Sequence, residues 1–488
     1  MYFIGIDLGT SSVKLLLMQE DGTIVRTVSR RYEVYFPNPG WSEQDPEDWY
    51  RESIAGLKEL TDDVDKSAIA GISFGGQMHG LVALDAEDRV IRRAILWNDG
   101  RTQKETDYLN NVIGKDKLSE YTANIAFAGF TAPKILWMRD NEPDNFAKIV
   151  KIMLPKDFLA YRLSGSFCTD LSDASGMLLL DVRNRKWSDE MVDICGITKE
   201  QLPKLYESYE VVGTILPKIA DELGFPKTVK IIAGAGDNAA AAVGTGTVGD
   251  GKCNISLGTS GTVFISSKKF GVDENNALHS FDHADGYYHL MGCMLSAASC
   301  NQWWSKEILN VVRFGTQQAG IERLGILGKN DIYFLPYLMG ERSPHNDPSA
   351  RGAFIGMRMD TTADEMSLAV LEGVAFGLAD SVEIARSLGI SIPRSGVSGG
   401  GATSALWKKI LANVLDLVID VPKIEEGPSL GGAMLAAVGC GVYKDVEAAA
   451  AAITQVQESI EPEPELVELY KERYNKWKQF YPALKGKF

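Results

Sequence analysis

Leu8-Gly9-Thr10-Ser11 and Leu257-Gly258-Thr259-Ser260 are the two stretches that decide the fold. Each follows an apolar, β-prone run (Tyr2 to Ile6; Ile255 to Leu257) and leads into another (Val13 to Met18; Thr262 to Ile265). The pattern predicts two tight β-hairpins with glycine-bearing turns. Two further matches follow in the same order. Gly71-Ile72-Ser73-Phe74-Gly75-Gly76 pairs with Gly396-Val397-Ser398-Gly399-Gly400-Gly401, a short buried strand running into glycine. Ala241-Ala242-Val243-Gly244-Thr245-Gly246 pairs with Ala436-Ala437-Val438-Gly439-Cys440-Gly441, a small-residue helix stopped by glycine. One such match carries little; three in one order read as an internal duplication.

A chain of 488 residues exceeds the size at which a single core usually stops growing. The expected division is therefore residues 1–246 and 247–488, with the seam in the glycine-dense stretch Gly244 to Lys252. Between its first two repeats the second copy is longer, with helical material such as Met294 to Leu309. The tail from Glu447 to Phe488 reads as mostly charged and helical, broken at Glu461-Pro462-Glu463-Pro464.

Lys and Arg total 50 against 65 Asp and Glu, a net charge of -15, which disfavours a non-specific grip on nucleic acid or anionic lipid. The six cysteines form no C-x-x-C pair and suit neither a disulfide framework nor a zinc site. With no basic leader and no long apolar run, the expectation is a cytoplasmic protein without a membrane segment.

A strand-turn-strand carrying Gly9, Thr10 and Ser11, or Gly258, Thr259 and Ser260, can aim backbone N–H groups and a hydroxyl at one anion. Gly-Thr-Ser is also good turn chemistry, and it is the duplication that favours a phosphate clamp. No P-loop competes, because the Gly-Lys pairs at Gly114, Gly251, Gly328 and Gly486 are never followed by Ser or Thr. Gly234-Ala235-Gly236-Asp237 mimics a dinucleotide fingerprint, but an Asp beside the turn would repel a pyrophosphate.

The copies differ where chemistry would differ. Asp7 precedes the first turn, whereas Ser256 holds that place in the second. One carboxylate with nucleotide phosphates and water suits Mg²⁺, so Asp7 is the candidate metal residue; a turn-capping Asp is the alternative. Asp237 stands at a helix start where the second copy has Gly432, and it is either an N-cap or a general base for an alcohol acceptor.

Together these segments resemble the FGGY carbohydrate kinases of the actin, hexokinase and Hsp70 superfamily, over essentially the whole chain. Two signatures carry the resemblance: Gly129 to Asn141 (GFTAPKILWMRDN), and Gly352 to Met357 with Glu365 to Glu372. Within the family, four loops match the members that act on D-xylulose, and the first of them differs in glycerol kinases: Gly75 to Gly80, Leu96 to Arg101, Leu154 to Asp157 and Leu338 to His345.

The resemblance implies two α/β, actin-like (ribonuclease H-like) ATPase domains flanking a catalytic cleft, with ATP and Mg²⁺ as partners. It implies transfer of the γ-phosphate to the 5-hydroxyl of D-xylulose, with Asp237 as base and Asp7 near metal and phosphates. Met78 and His79 then lie at the sugar, Gly258 and Thr259 at the phosphates, and Gly400 and Gly401, with Ala402 beside them, at adenosine. Gln77, His79, Trp97, Asn98 and Asp99 offer polyol donors and acceptors on loops at strand ends. His79 could equally satisfy backbone groups, and Trp97 could be core. Sugar is expected on the first domain and ATP on the second, with closure expelling water. The resemblance also implies a homodimer. The alternatives are a kinase for D-ribulose, L-ribulose or gluconate, or a nucleotide-switched binding protein. Arg342 and Ser343 receive no role.

Overall fold

The computed structural model describes the chain except residues 311–313 and 425. Apolar runs bounded by glycine build the first sheet: β1 (Tyr2–Leu8), β2 (Ser12–Gln19), β3 (Ile24–Arg31), β4 (Ile69–Gly76), β5 (Val211–Thr214) and β6 (Lys230–Ile232). Their spatial order is β5-β6-β4-β1-β2-β3, and the short pair Ala235–Gly236 extends β4 on its β6 side. β1, β2 and β3 form an antiparallel meander, β4 and β6 run parallel to β1, and β5 is antiparallel at the edge.

The second sheet repeats this plan with β7 (Cys253–Leu257), β8 (Gly261–Ser267), β9 (His279–Asp282), β10 (Tyr288–Met294), β11 (Arg394–Ser398), β12 (Val418–Pro422) and β13 (Val456–Ile460). Its order is β9-β10-β8-β7-β11-β12-β13. β7 and β8 make the hairpin, β11 and β12 run parallel to β7, and β13 closes the edge antiparallel. The duplication read from three short matches is thus a duplicated strand order. The tail is mostly helical, as expected, but it also supplies an unforeseen strand, β13, which completes the second sheet. Its residues are mostly exposed, so no apolar alternation marked it.

The helices that position the site are α1 (Thr131–Asn141), α2 (Asp237–Gly244), α3 (Ala363–Ser387), α4 (Gly427–Gly439) and α5 (Val446–Ile453). α2 and α4, the third repeat match, cross each other through glycine. A Cβ on Gly431 would lie 1.8 Å from the Ala240 carbonyl oxygen, and one on Gly244 would lie 2.5 Å from that of Gly427. α4 also lies directly on β1, where a Cβ on Gly5 would meet the Ser429 carbonyl at 1.8 Å. Small residues at these crossings let backbones touch, and the result is one apolar cluster shared by the two halves, including Phe3, Leu16, Ala240, Leu430 and Met434.

The second signature is mainly structural. Its α3 segment is capped reciprocally by Thr362 and Glu365, and Glu372 lies buried against Arg473 at 2.8 Å. Among the described residues, no helix is long and apolar enough to cross a membrane.

Candidate active site

The hairpin register puts Asp7 opposite Lys14 on β2 and beside Gly75 on β4, one residue before the strand ends. Asp237 is the first residue of α2 and its side chain does not cap the helix. One of its carboxylate oxygens accepts from the Asn238 N–H at 2.7 Å and the Asn238 amide at 2.9 Å. Burial pushes the Asp237 carboxyl up to about 6, against those two hydrogen bonds. Asp7 is pushed up to about 7, by burial first and then by the charge of Asp237, with Lys14 opposing. The two acids therefore feel one another across the end of the sheet.

Carboxylates held this high carry unmet negative charge that a hard cation would relieve. Among the described residues no group of three or more His, Cys, Asp or Glu could hold a metal. An oxygen-only site with one or two carboxylates suits Mg²⁺ completed by phosphate oxygens and water.

Both glycine turns are pinned through their carbonyls. In the first, Gly9 accepts from the Tyr32 hydroxyl, Thr10 from the Gln44 amide at 2.5 Å, and Ser11 from the Tyr32 N–H at 3.4 Å. In the second, Gly258 accepts from the Ala298 N–H at 2.9 Å, and Thr259 from the Ala297 N–H at 3.0 Å and the Ser299 hydroxyl at 2.7 Å. The N–H groups of Thr10, Ser11, Gly258, Thr259 and Ser260 have no protein partner among the described residues. A turn whose carbonyls are largely committed and whose remaining N–H groups are unpartnered suits an anion.

His79 is a non-glycine residue in the left-handed region, with φ 70°. Its carbonyl accepts from the Thr131 hydroxyl at 3.0 Å and the Lys134 ammonium at 2.7 Å, both on α1. Its Nδ1 lies 2.8 Å from the Gly176 carbonyl, and its ring packs on Phe130 with centroids 4.7 Å apart. Such over-determination holds a costly backbone angle in place. Burial, then Lys134, pushes its pKa down to about 3, so the ring is neutral. A carbonyl can only accept, so Nδ1 carries the hydrogen and Nε2 presents a lone pair, fit to accept from a hydroxyl. Met78 is buried against Gly236, the residue before Asp237.

The other sugar candidates are placed differently. Asp99 is corrected from ligand to scaffold: its carboxylate accepts from the Ser42 N–H at 2.6 Å and from Arg101 at 2.7 and 2.9 Å, and its side chain is wholly buried. Gln77 is also buried, its amide donating to Gln44 at 2.9 Å behind the first turn. The Trp97 indole donates to the Thr10 hydroxyl at 3.0 Å, which ties the exposed Trp97-Asn98 loop to the turn rather than to the core.

On the second domain a cavity of about 310 Å³ is lined by Ala298, Asn301, Gln302, Gln318, Gly400 and Trp407, among others. Gly399, with φ 86°, brings it against the second glycine turn: a Cβ there would sit 2.9 Å from the Leu257 carbonyl. Ala402 is buried next to Gly401 and is not among the residues that line the cavity. Cys293, paired with Thr262 on β8, has its thiol pushed up by burial, with the Arg342 guanidinium opposing.

The family description "FGGY family of carbohydrate kinases, N-terminal domain" matches residues 2–244, and its C-terminal counterpart matches residues 253–440. The chain belongs to the FGGY family. A xylulose kinase of Escherichia coli K12 is 42% identical over 450 residues, covering 91% of each chain. A crystal structure of a xyloylose kinase from Brucella ovis matches with TM-score 0.92 at 39% identity, covering 99% of both chains. A gluconate kinase from Lactobacillus acidophilus matches with TM-score 0.94 at 26% identity, covering 99% of this chain and 98% of that one.

Sequence reasoning on this FGGY chain missed how its first signature acts. Lys134 reaches back to the His79 and Gly129 carbonyls, at 2.7 and 2.6 Å. Its place inside the quoted signature was the available signal. The Leu154-Pro155-Lys156-Asp157 loop is likewise internal. Lys156 is wholly buried between Asp157 at 2.6 Å and Asp170 at 2.8 Å, and its stem covers Gly76.

Proposed function

We propose that this FGGY kinase transfers the γ-phosphate of ATP to the 5-hydroxyl of D-xylulose. Asp237 takes the hydroxyl proton as the oxygen bonds to phosphorus and the bond to the β–γ bridging oxygen breaks. The observation that carries this reading is Asp237 itself: a raised carboxyl at a helix start, uncommitted to capping, with Met78 packed on the residue before it. His79 Nε2 accepts from a second hydroxyl and fixes the sugar's orientation. The free N–H groups of the two turns receive the phosphates, and the cavity beside Gly400 and Gly401 receives adenosine. Mg²⁺ held near Asp7 would neutralise charge on the transferring phosphoryl group. Sugar lies mainly on residues 1–246 and nucleotide mainly on 247–488, and the setting is the cytoplasm, where the six unbonded cysteines stay reduced.

The test is Mg²⁺-dependent ATP turnover against D-xylulose, D-ribulose, L-ribulose, gluconate, glycerol and no sugar. The reading expects kcat/KM highest for D-xylulose. The likeness to a gluconate kinase makes gluconate the named rival: preference for it keeps the mechanism and replaces the substrate. Turnover indifferent to every acceptor removes the kinase reading.

A further inference from the structure

The loop carrying Arg342 is pinned on both sides of that residue. Glu341 Oε1 accepts from the N–H groups of Leu295 at 2.9 Å and Arg342 at 2.8 Å. Ser343 donates its N–H to the Cys293 carbonyl at 2.9 Å, accepts from the Cys293 N–H at 3.0 Å, and donates its hydroxyl to Ala277 at 2.7 Å. Between these anchors the Arg342 side chain has no carboxylate partner among the described residues. Burial raises the Glu341 carboxyl against the nearby charge of Arg342, and no ion pair joins the two side chains.

Anchored on the second domain, the Arg342 guanidinium lies over the ring of Phe127 on the first, 5.0 Å from its centroid. Phe127 packs on Phe130 at 5.4 Å and His279 at 5.2 Å, and Phe130 packs on His79 at 4.7 Å. An unneutralised guanidinium thus stands over the aromatic wall that backs the His79 imidazole. Burial chiefly, with Arg342 contributing, keeps His79 and His279 neutral.

Of the first-domain side chains assigned to the sugar in the reading above, His79 Nε2 and the Asp237 carboxylate are acceptors and Met78 is apolar. Hydroxyls can satisfy such a wall because they donate, whereas a carbonyl oxygen only accepts. We propose that Arg342 is the specificity-determining donor for the carbonyl end of an acyclic ketose, delivered across the cleft by the second domain. This rests on the ketose reading above and deepens it. It also gives the second domain a hand in choosing the acceptor.

The experiment compares D-xylulose with the two pentitols formed by reducing its carbonyl, used as acceptors or competitive inhibitors, in wild type, Arg342→Leu, Arg342→Gln and Arg342→Lys. A charge-assisted hydrogen bond of the usual strength implies that Arg342→Leu lowers kcat/KM for the ketose by ~10- to 100-fold. The pentitol constants should move by less than about threefold, since no carbonyl is lost. Arg342→Lys should recover part of the ketose loss, and Arg342→Gln carries the comparison if Arg342→Leu does not fold. Equal losses for ketose and pentitols would overturn the assignment in favour of packing between domains. A parallel fall in sugar-free ATP hydrolysis would overturn it in favour of a phosphate contact. Failure of the ketose reading itself shows separately, as a wild-type protein that turns over no ketose.

Discussion

In the first copy the residue before the glycine turn is Asp7 and the crossing helix begins at Asp237; in the second those places fall to Ser256 and Gly432. The scaffolds share six strands in the same order, β9 being extra in the second, and both turns commit carbonyls inward and leave N–H groups free. The difference lies in what surrounds the equivalent helix position. α4 already starts at Gly427, so Gly432 is inside the helix, where a Cβ would lie 3.3 Å from the Gly5 Cα and 3.4 Å from the Phe74 carbonyl carbon. The second helix is packed onto the first domain's sheet, and the first helix begins at Asp237, which is half-buried. Duplication supplied two glycine turns with free N–H groups, and only the first has acids beside it.

The sharpest way to break this comparison is to remove one of those acids. Asp237→Asn should lower kcat by ~10²- to 10⁴-fold, the usual range for a positioned base, in steady-state assays. Moving an acid to the other copy should give no second base. Gly432→Asp would bury an unpaired carboxylate against Gly5 and Phe74, and should cost at least ~3 kcal/mol in urea unfolding. Gly431→Ala tests the helix crossing alone: one methyl against the Ala240 carbonyl should cost ~1–3 kcal/mol, read as a lowered urea midpoint at unchanged m-value.

A pH profile sharpens the same contrast. Asp237, at about 6, must be ionised to accept a proton, so kcat/KM should fall as pH drops through about 6. His79, at about 3, stays neutral across that window and should add no inflection. A profile flat from pH 5 to 8 would contradict the role of Asp237. The smallest expected effect is at Trp97→Phe, which removes one exposed hydrogen bond to Thr10 and should raise the KM for ATP by no more than about tenfold.

Glycine and small-residue spacing made the two hairpins, the two strand-to-glycine loops and the crossing helices legible, because those features are local. Asp7 and Asp237 stood out because a repeat makes each copy a control for the other. Asp99 and Gln77 misled because their partners, Ser42, Arg101 and Gln44, come from other segments or turn the side chain inward. Alternation of apolar residues reports that a loop is near a core and says nothing of which way its polar heads point. Lys134 was hidden for the same reason: its work on the His79 carbonyl depends on a contact 55 residues apart in sequence. The edge strand Val456–Ile460 lacked a buried face to announce it.

The central claim is that the acid in the first copy performs the chemistry while binding rests on the turns and loops around it. Calorimetric titration of the Asp237→Asn protein with D-xylulose, and with a non-hydrolysable ATP analogue and Mg²⁺, tests this most directly. The account predicts that both ligands bind within about threefold of wild type while turnover is lost, as for a group that acts chiefly in the transition state. Retained turnover, or loss of nucleotide binding in step with activity, would contradict it.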